Sequence, residues 1–125
     1  TAVLAAPSIG YSTGPSGVAL QALFARWGIA EQIAARTVQA QPSVPVGALV
    51  ARGQVALGFQ QLAELIHVPG IRIAGPLPPA IAIDTVFGAA VVQGTPNAGA
   101  ARRVLAFMAS PEAADAKRRQ GMAPI

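Results

Sequence analysis

Ser12-Thr13-Gly14-Pro15-Ser16-Gly17 is the stretch of this sequence richest in groups that could hold a ligand. It offers hydroxyls, small residues that let a ligand approach the backbone, and backbone N–H groups where a helix is expected to begin. The first N–H groups of a helix have no intrahelical acceptor and sit at the positive end of its dipole. Such a loop can therefore bind an anion with no charged side chain. A capped helix behind a tight turn has the same composition, and the residues alone do not separate the two. Two further stretches carry related chemistry. Gln41-Pro42-Ser43-Val44 is stiffened by Pro42 and by Pro45 after it, while Ser43 and Val44 keep N–H groups that could face a ligand or cap the next helix. Gln60 and Gln61 follow an apolar run, and amides in that setting must find partners, either in neighbouring loops or on a ligand. The candidate ligand-binding residues are thus Ser12, Thr13, Ser16, Gly17, Ser43, Val44, Gln60 and Gln61.

Groups that could do acid–base chemistry are sparse. His67, the single histidine, lies between an apolar segment and Val68-Pro69-Gly70, the setting of a surface or packing residue. The five acids, Glu31, Glu64, Asp84, Glu112 and Asp115, are scattered and form no carboxylate pair. No nucleophile elbow, phosphate-binding loop or metal-ligand spacing is present. The expectation is a binding module that is not an enzyme and takes no cofactor and no metal.

The elements that would position these loops alternate between strand and helix. Pro7 to Tyr11 reads as a strand, and Leu20, Leu23, Phe24 and Trp27 recur at helical spacing up to a stop at Gly28. A short helix over Ala30 to Ala35 precedes a strand at Thr37 to Ala40. Val46 to Arg52 reads as a helix ended by Gly53. Val55 to Phe59 is apolar enough for a central strand buried on both faces, and a short helix over Leu62 to Ile66 follows Gln60 and Gln61. Ile71 to Ala74 and the longer Ala82 to Val92 read as strands. Asn97 is placed to cap a helix whose face carries Ala101, Val104, Leu105 and Met108. Ser110-Pro111-Glu112 restarts a last helix that ends at Gly121. The fold class is α/β, with a mostly parallel sheet flanked by helices. In such sheets ligands lie outside the carboxyl ends of the strands, where the three candidate loops would sit.

Composition narrows the partners. Of the 125 residues 53% are hydrophobic and only 11% charged, and the mean hydropathy is +0.50. No uninterrupted apolar run reaches the roughly 20 residues of a membrane-spanning helix, so the excess points to a face covered by a partner. The net charge of +4 owes much to Arg102, Arg103 and Lys117-Arg118-Arg119. Basic residues so clustered read as a helix end favoured by the dipole. Nucleic acid is not expected as a partner, since no basic face with interleaved aromatics is present. With no cysteine, the redox compartment is unconstrained.

The order of segments resembles the second half of the type II periplasmic binding proteins, closest to their molybdate-binding group. Ser8-Ile9-Gly10-Tyr11-Ser12 with Gly14-Pro15-Ser16-Gly17 resembles that group's anion loop. Val50 to Phe59 resembles its helix–turn–strand unit, and Thr85 to Val92 the strand that crosses back between lobes. Asn97 to Ala114, with Gly121-Met122-Ala123-Pro124, resembles the common ending of these receptors. The resemblance implies a second lobe over residues 1–84, and over residues 85–125 a crossing strand and tail helices that would complete a first lobe lying upstream of Thr1. It implies that the chain is part of a longer periplasmic protein. That protein would close over a small-molecule or oxyanion ligand and deliver it to the membrane subunits of an ABC transporter. Ser16 and Gly17 match the group's helix-start donors, and Ser43 or Val44 its second-loop N–H. Gln61 stands where the group has a tyrosine hydroxyl, so the implied ligand is a small anion or polar solute, with molybdate-like oxyanions among the candidates. Apolar faces lacking a first lobe would favour a homo-oligomer or a segment-swapped dimer. The ligand-sensing domain of a transcription regulator shares this fold and stands as the alternative. A Rossmann-like enzyme domain would need a dinucleotide fingerprint that is not present.

Overall fold

The computed structural model describes residues 2–124, and the chain divides into two compact units, Thr1–Thr85 and Val86–Ile125. The first unit is built on three parallel strands, β1 (Ile9–Tyr11), β2 (Thr37–Gln39) and β3 (Leu57–Phe59), in the order β2-β1-β3. Ile9 is in register with Thr37 and Leu57, and Tyr11 with Gln39 and Phe59. All three strands therefore end level, at one carboxyl edge. The α/β class and the parallel sheet agree with the sequence.

Helix α1 (Ala2–Ala5) precedes β1, and α2 (Pro15–Arg26) follows it. Pro15 occupies the first turn of α2, where its missing N–H costs nothing. Leu20, Leu23 and Phe24 of α2 are buried with Ile9 of β1 and with Ile33 of α3 (Ala30–Ile33), forming the main core. Trp27, expected on the same buried face, is 42% exposed instead. It lies at the C-cap of α2, with its ring 6.3 Å from that of Phe24. A 3-10 turn at Ala34–Arg36 leads into β2, and the Arg36 guanidinium donates to the carbonyls of Leu4 and Ala6, tying down the end of α1.

Helix α4 (Val46–Ala51) packs against the sheet close to two glycines. A Cβ on Gly10 would meet Val55 Cγ2 at 2.9 Å and Val46 Cγ1 at 3.1 Å, and one on Gly58 would meet Val50 Cγ2 at 2.7 Å. Helices α2, α4 and α7 end alike. Gly28, Gly53 and Gly121 take φ of 67°, 69° and 73°, and the N–H of the next residue reaches back to Phe24, Leu49 and Lys117 respectively, the Schellman arrangement. Helix α5 (Leu62–Leu65) closes the regular part of this unit. Leu77, Ile81 and Ile83 then pack on the core cluster, the middle one within a 3-10 turn at Pro79–Ile81.

Several expected strands differ. Val55–Phe59 was expected as a central strand, yet β1 holds the centre and β3 the edge, with its three residues only half-buried. Val55 itself is buried but precedes the ladder. Ile71–Ala74 and the crossing strand Ala82–Val92 have no regular secondary structure. A strand exists only through hydrogen bonds to a neighbour, and among the described residues no ladder pairs with either stretch. Apolar composition alone cannot supply that partner.

The second unit holds α6 (Ala98–Ala109), a 3-10 turn at Pro111–Ala113 and α7 (Ala114–Arg119). Neither Asn97 nor Ser110 makes the side-chain cap expected of it. Ser110 Oγ donates instead to the Phe107 carbonyl at 2.8 Å, behind it in the chain. The Ser110 side chain and the Glu112 backbone also hold the Glu112 carboxyl below its ordinary range. An ion pair joins Arg118 to Asp115 at 2.6 Å, with both side chains exposed, an arrangement that contributes little stability. Ala113 is the buried residue of this unit's turn, while Val104, Phe107 and Met108 of α6 and Val86, Phe87 and Val92 before it are exposed. No helix among the described residues is long and apolar enough to cross a membrane.

Candidate functional site

The strand register places the three candidate loops together. Ser12 follows Tyr11, Ala40 and Gln41 follow Gln39, and Gln60 follows Phe59, all leaving one edge of the sheet. Neighbouring strands lie about 5 Å apart, so Ser12 emerges beside both the β2 and the β3 exits. Tyr11 keeps the first two loops in step, because its carbonyl accepts the Ala40 N–H at 2.9 Å.

The first loop is tightly wound. Ser12 Oγ and Ser16 Oγ are 3.2 Å apart, so one hydroxyl donates to the other and the pair keeps one proton to offer elsewhere. Both residues are half-buried, Thr13 is exposed, and Gly17 is buried. The Gly17 N–H donates to the Gly14 carbonyl at 2.9 Å and the Val18 N–H to the same oxygen at 3.2 Å. Gly17 therefore serves the loop by its small size. A Cβ there would lie 1.8 Å from the Ser12 carbonyl oxygen, a separation that no pair of non-bonded atoms tolerates.

The second loop is a turn in which the Val44 N–H donates to the Gln41 carbonyl at 3.0 Å. The N–H that the sequence offered to a ligand is thus engaged in the turn. Ser43 is exposed and takes φ of 68°, the left-handed region that a non-glycine residue enters at a cost of roughly 1–2 kcal/mol.

At the third loop, Gln60 and Gln61 are both half-buried. Gln60 Oε1 accepts the Gly47 N–H from the first turn of α4 at 3.2 Å, which gives one of the orphan donors of that helix a partner. Gln61 is the N-cap residue of α5 through its backbone, with its carbonyl accepting the Glu64 N–H at 3.0 Å and no side-chain cap. The pairing of Gly47 with Gln60 is not apparent from the sequence. The available signal was Gly47 itself, a glycine in the first turn of a helix after Pro45, where a side chain from another strand can approach the backbone.

Gln21 was also passed over. Its Nε2, one helical turn beyond Gly17, is buried without a hydrogen-bond partner, and no periodicity distinguishes it from a solvated helix residue. His67 is exposed in the loop after α5, away from the sheet edge in sequence. Among the described residues no cluster of His, Asp and Glu is placed to hold a metal ion. Within Ser12–Gly17, Gln41–Val44 and Gln60–Gln61 the polar side chains are hydroxyls and amides and none is ionisable, a set suited to holding an anion by neutral donors.

This is the architecture of an open parallel α/β lobe, in which ligands are held outside the carboxyl ends of the strands. Residues 3–123 match the family model of the bacterial extracellular solute-binding proteins, and the chain belongs to that family. It is 41% identical over 121 residues to an aconitate isomerase from a Pseudomonas species, a match covering 96% of this chain and 46% of the relative. The chain thus spans about half the length of that curated relative. No solved structure gives a significant match.

The family assignment agrees with the resemblance to periplasmic binding proteins, at the level of a bacterial solute-binding protein. The relative corrects another expectation. The scarcity of acid–base groups suggested that the chain is not an enzyme, yet a protein 41% identical to it across nearly its whole length carries an isomerase's name. Scarcity of catalytic motifs in one stretch does not exclude catalysis by a longer protein, because active sites are assembled from residues distant in sequence.

Proposed function

We propose that this chain supplies one wall of a cleft that binds a small organic anion, with aconitate as the first candidate. The observation that carries this reading is the identity to aconitate isomerase, which covers 96% of this chain and so includes every candidate loop. The level strand ends support it, because they gather neutral hydroxyl and amide donors at one edge. Ser12, Thr13, Ser16 and Gly17 form the principal part of that wall, with Ser43 and Val44 on one side and Gln60 and Gln61 on the other. A carboxylate-bearing ligand fits neutral donors as an oxyanion does, since each accepts hydrogen bonds through several oxygens. On this reading the protein isomerises aconitate in that cleft.

Residues 1–84 would then form one lobe. Residues 85–125, with their exposed apolar side chains, would pack on the first lobe, contributed by the remainder of a longer chain. A second reading, favoured by the description of the family as extracellular solute-binding proteins, has the same cleft deliver its anion from the periplasm to the membrane subunits of an ABC importer.

Calorimetric titration of the full-length protein with trans-aconitate, cis-aconitate, molybdate, tungstate and sulfate, with parallel NMR of the aconitate mixtures, separates these readings. Binding with interconversion of the two aconitates supports the isomerase. Saturable binding without interconversion supports the importer reading. Heat with molybdate and tungstate and none with aconitate would overturn the organic-anion assignment, and no heat with any anion would remove the cleft proposal.

A further inference from the structure

We infer that Gln60 is a fixed hydrogen-bond donor that selects for anionic oxygen at the sheet edge. This inference rests on the reading of that edge as the binding site. A free glutamine amide can turn over and present either its oxygen or its nitrogen, so by itself it favours neither an acceptor nor a donor on the ligand. Gln60 lacks that freedom. Its partner on α4 is a backbone N–H, that of Gly47 at 3.2 Å, and an N–H can be satisfied only by the carbonyl end of the amide. The amide is thereby polarised toward one orientation, with Oε1 held on α4 and Nε2 turned away from that contact.

The second half of the argument concerns what Nε2 meets. Gln60 is half-buried, and among the described residues nothing accepts a hydrogen bond from its Nε2, which is not enclosed in the way that Gln21 Nε2 is. Gln60 is also the first residue after β3, level with Ser12 after β1 through the pairing of Tyr11 with Phe59. The edge thus presents an amide donor on one strand exit and, on the next, a serine pair with one proton left to give. An amide held with its nitrogen outward favours carboxylate or oxyanion oxygen at that point over a ligand group that itself donates. Gly47 gains a role from the same contact. Lacking a side chain, it leaves its N–H open to an approach from β3, and it sits close to Leu65 and Val68, each 3.1 Å from where its Cβ would be.

Two substitutions in the full-length protein, probed with trans-aconitate, test this. Gln60→Glu keeps an oxygen acceptor for the Gly47 N–H but removes the donor. Gln60→Met removes the donor without adding charge. Both are expected to weaken trans-aconitate binding roughly tenfold or more, the scale of one hydrogen bond to a charged group, with the Gln60→Glu melting temperature near that of the parent. In the parent, the side-chain amide proton resonances of Gln60, assigned by their absence from the Gln60→Glu spectrum, are expected to shift on titration together with the backbone amides of Gly14, Ser16 and Gly17. Retained affinity in either variant overturns the donor role. Shifts confined to Gly14, Ser16 and Gly17 overturn it as well while leaving the site at this edge intact, and no shift in either place overturns both.

Discussion

At the residue scale, Gly17 shows how a small side chain can be a site requirement without touching a ligand. Its φ is not left-handed, so conformational freedom is not what demands glycine. The demand is space, since a Cβ would sit 1.8 Å from the Ser12 carbonyl oxygen and 2.8 Å from the carbonyl carbon. Gly17→Ala must push the loop off the start of α2. It is expected to destabilise the protein by about 1–3 kcal/mol, the range for overpacking a close contact, measured by chemical denaturation. Because the same movement separates Ser12 from Ser16, aconitate affinity should fall further than in Ser12→Ala, which removes one hydroxyl and leaves the backbone in place. A Gly17→Ala protein that is less stable but binds like the parent would place the ligand away from this loop.

At the element scale, the close approach of α4 to the sheet rests on Gly10 and Gly58. With a Cβ on Gly58 only 2.7 Å from Val50 Cγ2 and 2.9 Å from Val46 Cγ1, Gly58→Ala should cost about 1–3 kcal/mol. Val50→Ala would remove the nearer methyl, so the double variant should be more stable than the sum of the singles by roughly 0.5–3 kcal/mol, the coupling typical of residues in contact. Additive effects in a denaturation cycle would mean that α4 adjusts its position freely. The elements also show what was legible beforehand. The stops at Gly28, Gly53 and Gly121 were readable because a Schellman ending is made within a few residues of one chain segment. The strand at Ile9–Tyr11 and the loop after it were readable for the same local reason. The status of Leu57–Phe59 as an edge, and the absence of a strand over Ala82–Val92, depend on which neighbours are available, and no short window of sequence contains that information. The site divides along the same line. Loop composition pointed to Ser12–Gly17 and Gln60–Gln61, but the bond from Gly47 to Gln60 and the contact of Gly17 with Ser12 arise only once the chain is folded.

At the scale of the whole molecule, the two units differ in how well they enclose their apolar residues. The first buries Ile9, Leu20, Leu23, Phe24 and Ile33 in one cluster. In the second, Val86 is 78% exposed, Val92 75% and Phe107 61%. Several large apolar side chains left exposed on one unit suggest a surface that another structure covers, and the chain matches only 46% of its relative's length. The proposed occupant is the first lobe of a longer protein, and the basic residues of the same unit supply a probe for it. Arg102 and Arg103 on α6 and Lys117, Arg118 and Arg119 on α7 are trypsin sites on this unit. In the full-length protein, cleavage at Arg102 and Arg103 should be slowed at least several-fold relative to the 125-residue chain alone, because α6 would be held against the first lobe and local opening would precede cutting. The isolated chain, with those apolar groups uncovered, should show a weight-average mass in sedimentation that rises with concentration. Equal cleavage rates, together with a monomer at every concentration, would show that residues 86–125 need no covering lobe.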